Sequence, residues 1–411
     1  MFMWQMIAIF GLNIAYALVI PNEFGYMGYT FKLDEIKLVF GSILLISFYF
    51  LSFFIKDKFI FVTWNVLFIY LFASTVIHYQ YTNNAKITQI FSVGLLLLIL
   101  IPISRINIIF PEIKTKKNIE RIMMLVCIFL FIPFLVLYYN HINIKNLFLI
   151  DVYETRYIFR EISHPLTAYI QAPLARVLLP VLIVKSLENK KYGRMILSLM
   201  MIIYIYLTGA LKSVFFGLVL LLALYKGNYQ FKILAVLKGV SFFSIIGVIL
   251  HKINGAVLLI DLPIRRIFFT PANLSNVFNK YYENNFTYFS HSPLGRLLGT
   301  YDSDISPSRF IGEQVIGSEG LSANVGVFTE GYISAGYFGL IIYAFIVALI
   351  FLFLKMTKID SKYFGIVVVY IYYLNTSFLS TLLLTHGLFV FLIISYYLLR
   401  HNEEGVLISY T

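Results

Sequence analysis

Residues 261–339 read DLPIRRIFFTPANLSNVFNKYYENNFTYFSHSPLGRLLGTYDSDISPSRFIGEQVIGSEGLSANVGVFTEGYISAGYFG, a polar stretch in a chain that is otherwise apolar enough to sit in lipid. It carries the adjacent pair Arg265 and Arg266, a spread of tyrosines and several carboxylates, and it breaks repeatedly at Gly and Pro. A polar segment of this length between hydrophobic spans is where a working surface belongs, because function concentrates on loops held by a rigid scaffold. The plain alternative is an ordinary connection between two spans. A structureless loop this long is unusual, so short helices are expected inside it.

The 411 residues are 60% hydrophobic and 13% charged, with mean hydropathy +0.84. A soluble domain has about 25% charged residues. The chain therefore reads as an all-α polytopic membrane protein. A net charge of +12 would suggest nucleic acid in a soluble protein. Here much of the excess lies in short loops, where orientation signals belong, and no nucleic-acid partner is expected. The single cysteine, Cys127, sits in an apolar run, which excludes an internal disulfide and argues against a cysteine-based metal site. The first span has no Lys or Arg ahead of it and no A-x-A site behind it, and reads as a retained helix.

A spanning helix needs about 20 mostly apolar residues. Spans are expected near 3–20, 38–55, 59–78, 87–104, 121–139, 166–185, 192–208, 211–226, 236–254, 334–355, 363–380 and 383–399, twelve in all. The chain then divides into helices one to nine over 1–254, with a smaller external loop near 140–165, a large external loop over 255–333, and helices ten to twelve over 334–411. With the N-terminus cytoplasmic, most of the 32 basic residues, including Lys56, Arg105, Lys116, Arg121, Lys190, Arg194, Lys232 and Lys358, fall on the inner side in short, dense loops.

Both external loops place arginine beside aromatic residues. Arg156 and Arg160 in DVYETRYIFREISHP are four apart, which puts both on one face of a helix. Arg265 and Arg266 follow the ninth span. The planar guanidinium bonds phosphate oxygens in pairs, so four such groups near an outer surface suit a pyrophosphate at the end of a lipid. The plainer reading is that each snorkels to headgroups. Arg176 lies inside the sixth span and Lys212 at the turn between the seventh and eighth. A mid-bilayer charge costs about 2.5–3.5 kcal/mol, so each faces a polar cavity or an ion-pair partner.

For acid–base work the loop offers Glu330, just before the tenth span, and His291 in SHSP. Glu330 is either a base for a sugar hydroxyl or a helix N-terminal charge favoured by the dipole. His291 is a base, a phosphate contact or a turn residue. Tyr281, Tyr282, Phe286, Tyr288 and Phe289 either stack on sugar rings or form an interfacial belt. Asp302 and Asp304 are spaced to hold a divalent ion, but loop Asp pairs are common, and no metal is expected. The N-x-S/T matches at Asn273 and Asn285 are short enough to arise by chance. Without a P-loop, a nucleotide-binding glycine motif or HExxH, the remaining classes are a transporter or an enzyme acting on a lipid-linked substrate.

The stretch YYENNFTYFSHSPLG, followed by IGEQVIGSEGLSANVGVFTEGYISAGYFG, resembles the signature region of bacterial O-antigen and capsular oligosaccharide repeat-unit polymerases. The matching elements are Tyr281, Tyr282 and Glu283; Ser290 to Ser292; Ile311 and Gly312; Ala323 and Asn324; Glu330 to Tyr332; and Gly336 to Gly339. Thr208 to Ser213 and Asp151 to Arg156 are similar to further elements of that family. The family often has two Ala-Asn-like steps where this chain has ANVGVF. The resemblance implies a GT-C-like, metal-independent membrane glycosyltransferase without cofactors. It would sit in the bacterial inner membrane and join undecaprenyl-pyrophosphate-linked oligosaccharides at the periplasmic face, with membrane lipids and a chain-length regulator as partners. Arg156, Arg160, Arg176, Lys212, Arg265 and Arg266 would bind pyrophosphate. Tyr281, Tyr282, Tyr288, Asn324 and Tyr332 would bind sugar, and Glu330 and His291 would be catalytic. The alternatives are a lipid-linked oligosaccharide flippase, which has no need of one large external loop, and an O-antigen ligase, which shares that loop.

The basic-residue pattern places both termini inside and Ser303 outside. In a chain with Cys127 replaced, a cysteine at Ser303 should react with an impermeant thiol reagent in intact spheroplasts. Labelling only after lysis would invert the topology.

Overall fold

A computed structural model describes residues 1–111, 118–148, 150–162, 164–210, 212–300 and 305–400. The described chain is helical; its one β-type contact is an isolated antiparallel bridge between Ile359 and Arg400. Among the described residues, seven helical stretches are long and apolar enough to cross a membrane: Glu35–Phe54, Lys58–Tyr81, Ile119–His141, Pro165–Glu188, Tyr192–Gly209, Tyr229–Asn254 and Val327–Met356, the last with a break at Gly336. An eighth results if Phe2–Leu18 and Ile20–Met27, bent by 44°, count as one.

The expected twelve is therefore not reached. A helix does lie in each remaining stretch, but it is too short. Thr88–Ile103 has 16 residues and rises about 24 Å, against a hydrocarbon core of about 30 Å. Lys212–Ala223 has 12 residues and Leu388–Leu398 has 11. Chain breaks explain part of the shortfall: Phe364–Leu374 stops at Asn375, and Leu388–Leu398 starts only after Gly387, whose φ is +80°. Apolar composition continues through these breaks while the backbone does not.

Two compact units form, and they cut across the division of the chain by loops. The first comprises Met1–Asn107, Asn228–Leu352 and Ile371–Ser380; the second comprises Ile108–Gly227, Phe353–Tyr370 and the chain from Thr381 onward.

The first unit is built around Lys58–Tyr81, whose spanning window is 94% buried. Asp57 starts it by accepting from Ile60 N at 2.9 Å. Trp64, Phe68 and Phe72 recur every four residues and stack at 5.4 and 6.0 Å along its length. Trp64 is fully buried, and its Nε1 donates to Leu97 O at 3.0 Å, which satisfies the indole in an apolar surround. Phe2–Leu18 and Tyr229–Asn254 pack closely because Gly11 lies against Ser244, where a Cβ would be only 2.2 Å from the hydroxyl.

Val327–Met356 is not one straight helix. Ala335 (φ −156°, ψ 31°) and Gly336 (φ 60°, ψ −142°) leave helical geometry and reverse the chain. The segment before the break folds against the segment after it. A Cβ on Gly339 would lie 1.9 Å from Gly331 O, and one on Gly331 2.8 Å from Gly339 O. In a continuous helix, residues eight apart are about 12 Å apart. The glycines of EGYISAGYFG are thus required by a reversal with direct backbone contact.

The second unit packs Pro165–Glu188 between Ile119–Tyr138 and Tyr192–Gly209. Leu174–Leu178 within the first of these has π-helical hydrogen bonding, a local widening often found at functional sites. Tyr138 OH meets Thr167 Oγ1 at 3.1 Å, and its ring stacks on Phe159 at 4.5 Å, which docks the short amphipathic helix Val152–Ile162.

Candidate functional site

In the first unit the two stretches that carry the family resemblance are bound to each other. Thr287 N donates to Ile333 O at 2.7 Å and Tyr288 N to Ser334 O at 3.1 Å. Carbonyls at the end of a helix have no partner within it, so the loop supplies what the break removes. Tyr288 and Phe289 adopt φ of +46° and +65°, an uncommon conformation for non-glycine residues. Beside this turn Phe286 lies against Gly336, where it fills the space of a missing side chain, and the Phe289 ring stacks on Tyr343 at 6.5 Å. Gly295 abuts Phe289 O and Gly312 abuts Leu321 O, each too closely for a Cβ.

Buried polar pairs fasten the same region. Ser275 and Thr329 share a hydroxyl contact of 2.7 Å, Gln89 Nε2 donates to Asn375 Oδ1 at 3.0 Å, and Asn279 Nδ2 donates to Thr88 Oγ1. Glu330, 4% exposed, accepts from Leu379 N at 2.5 Å, and the Tyr343 hydroxyl bonds the same carboxyl. These bonds join Glu330, ahead of the Gly336 break, to the backbone after the Asn375 break and to the helix after Gly336. Glu330 lies in the first turn of Val327–Met356, where the alternative of a helix N-terminal charge put it, and burial revises only the expectation that it stands open on the loop. His291 is half-buried in the turn ahead of Pro293–Leu298.

The assignment of Arg265 to pyrophosphate is also revised. It is 4% exposed; its Nε donates to Asp261 Oδ1 at 2.7 Å and Nη2 bonds the same carboxylate. Nη1 reaches Thr270 Oγ1 at 3.4 Å, and the guanidinium sits 4.4 Å over the Phe24 ring. A donor set already committed in this way has little left for a phosphate. Arg266 donates to Asp261 Oδ2 at 3.1 Å but keeps a side chain 42% exposed. The i, i+4 spacing of Asp261 and Arg265 was visible in DLPIRR and is the signal that a phosphate reading passes over.

Among the aromatic candidates, Tyr281 (43% exposed) and Tyr288 (63%) present ring surface, and Asn324 is exposed. Tyr282 and Tyr332 do not. Tyr332 is enclosed by Phe286 and Tyr337, each at 6.0 Å. Tyr282 packs on Tyr281 at 5.1 Å, and its burial, with Tyr281 adding to it, pushes the hydroxyl up to about 12. Glu283 pairs with Lys86. Asp302 and Asp304 lie outside the described residues.

In the second unit, Arg156 donates from Nε to Ala210 O at 3.0 Å. Ala210, at φ +47°, ends Tyr192–Gly209 within the Thr-Gly-x-x-Lys-Ser element, where a cation complements the helix dipole. Gly209 lies against Gln171 Nε2, so three parts of the chain converge on one helix end. Gln171 was not singled out by sequence reasoning. Arg176, 8% exposed, lines an apolar cleft with Val214, Leu218, Leu221, Ile366 and Val369. Arg160 and Lys212 lie on helices Val152–Ile162 and Lys212–Ala223, but their side chains are outside the described residues.

Comparison with known protein families, with curated proteins and with solved structures finds no match.

The Glu330 link has a sharp test. Glu330→Gln keeps an oxygen that accepts from Leu379 N, whereas Glu330→Ala leaves a buried N–H unpaired, at about 1–3 kcal/mol. Thermal unfolding in detergent should show a lowered midpoint for Ala and a near-normal one for Gln. Equal loss in both would mean that the charge, and not the acceptor, matters there.

Proposed function

We propose that this chain is a GT-C-like membrane glycosyltransferase that joins undecaprenyl-pyrophosphate-linked oligosaccharide repeat units at the periplasmic face of a bacterial inner membrane. The observation that supports it most is the direct backbone bonding of the two resemblance stretches, Thr287 and Tyr288 to Ile333 and Ser334. Elements of a shared signature belong together if they serve one site.

In the reaction, an acceptor hydroxyl oxygen attacks the anomeric carbon of the growing glycan. The bond from that carbon to the lipid pyrophosphate breaks, and the hydroxyl proton passes to a base. Negative charge develops on the leaving pyrophosphate, where fixed cations lower the barrier most. Arg176 supports this role as a guanidinium held at 8% exposure on a π-helical turn inside a span, where a fixed cation is costly and belongs to a site or a partner. Arg156 supports it through its orientation on Ala210 O. With the Glu330 carboxyl engaged by Leu379 and Tyr343, His291 becomes the acid–base candidate.

A second reading, a lipid-linked oligosaccharide flippase, is favoured by the breaks at Ala335–Gly336 and after Leu374. Discontinuous spans are a feature of transporter binding sites.

Purified protein in liposomes with lipid-linked repeat units separates the two. Elongated glycan on the lipid is expected; movement of single units across the bilayer without elongation would establish the flippase. A charge-assisted hydrogen bond is worth about 1.5–3 kcal/mol, and tenfold in rate is about 1.4 kcal/mol. Arg156→Ala and Arg176→Ala should each slow elongation roughly ten- to hundredfold, with partial recovery in Arg→Lys. Normal chain lengths in both Ala variants at equal protein levels would remove the arginines from the site.

A further inference from the structure

The short helix Pro293–Leu298 carries Leu294, Leu297 and Leu298, exposed by 43%, 84% and 57%. Their i, i+3, i+4 spacing sets them on one face, with Arg296 exposed on the opposite side. The helix is firmly placed. The Ser292 side chain accepts from Gly295 N, Gly299 at φ +71° closes the other end, and Thr300 Oγ1 donates to Tyr288 O at 2.9 Å. Leucine at 84% exposure on a fixed helix, next to Tyr288 at 63%, forms an apolar surface inside the most polar segment of the chain.

The position of the turn that carries this helix says what covers the surface. Thr287 and Tyr288 are bonded to Ile333 and Ser334, Phe286 lies against Gly336, and Phe289 stacks on Tyr343. Tyr343 is about 10 Å along the helix from Gly336. Over that length the helix turns outward Tyr337 (51% exposed), Phe338 (68%) and, just beyond, Phe345 (51%), the apolar surface of a lipid-facing span. The turn is thus fastened to the start of the span instead of standing clear of it, which sets the leucine face at the level where the span enters lipid.

We infer that Leu294, Leu297 and Leu298 insert at the boundary between headgroups and acyl chains, in the leaflet on the side of the large loop. The lipid surface is the partner. This anchor holds the loop to the bilayer independently of the reaction performed there.

The test uses full-length chain with Cys127→Ala and a single Leu297→Cys carrying an environment-sensitive nitrobenzoxadiazole dye, in phosphatidylcholine vesicles with nitroxides at shallow or deep acyl positions. Leu297 is so exposed that the label displaces no packing. Phe338→Cys and Glu319→Cys serve as lipid-facing and water-facing references. The expected result is a blue-shifted emission, stronger quenching by the shallow nitroxide than by the deep one, and several-fold less iodide quenching than at Glu319→Cys. Emission and iodide quenching matching Glu319→Cys would overturn the inference. So would a blue shift without nitroxide quenching, because protein would then cover the face.

Discussion

The backbones of Gly331 and Gly339 touch, and the first unit depends on that contact. It exists because Gly336 takes a φ, ψ pair closed to side-chain-bearing residues and turns the chain back on itself. The reversal strands helix carbonyls in apolar surroundings. Thr287 and Tyr288 bond to two of them, which brings the polar loop down onto the break. Glu330 is drawn inside by the same reversal and ties the segment to Leu379. One steric permission, the absence of two Cβ atoms, thus places a carboxyl, a turn with left-handed backbone and a leucine-bearing helix.

Broken helices at membrane depth survive only where protein or a polar cavity satisfies the freed backbone groups. The first unit does this with Ser275, Thr329, Gln89, Asn375 and Glu330. The second unit uses other means: a π-helical turn around Arg176 and the Arg156 guanidinium on the carbonyl of Ala210, which caps Tyr192–Gly209. Both devices concentrate polar groups in chain that composition alone would assign to lipid. Enzymes acting on lipid carriers and transporters of them share that need, so the reaction must be read from the individual side chains.

Much of the architecture was legible in the sequence. Hydropathy marked where helices lie, and three of them start at Asp34, Asp57 and Asn228, whose side chains accept from the first turn, a signal that the hydropathy reading did not use. Span number was not legible, because a hydropathy window cannot see the stops at Asn375 and Gly387 inside apolar runs. The start of the tenth span near residue 334 agrees with the break, since the sequence turns polar there; that the preceding eight residues are helical and folded back was invisible. Residue types at the site were readable, but not their partners. Arg265 looked like a phosphate ligand until Asp261 was seen to hold it, and Tyr332 looked like a sugar platform until Phe286 and Tyr337 closed around it. Partnering depends on tertiary neighbours, and only the i, i+4 pair was close enough in sequence to be foreseen.

The reversal itself is open to a measurement whose sign decides it. In a continuous helix, replacing an interior glycine by alanine stabilises by roughly 0.5–1 kcal/mol. In the folded-back arrangement the added methyl must push two backbones apart, an overpacking that costs about 1–3 kcal/mol. Equilibrium unfolding of Gly339→Ala in mixed micelles should therefore show a loss of stability, while Gly193→Ala, which has open space around its Cβ position, should not. A gain in Gly339→Ala comparable to that in Gly193→Ala would contradict the contact between Gly331 and Gly339, and with it the placement of Glu330 and of the loop.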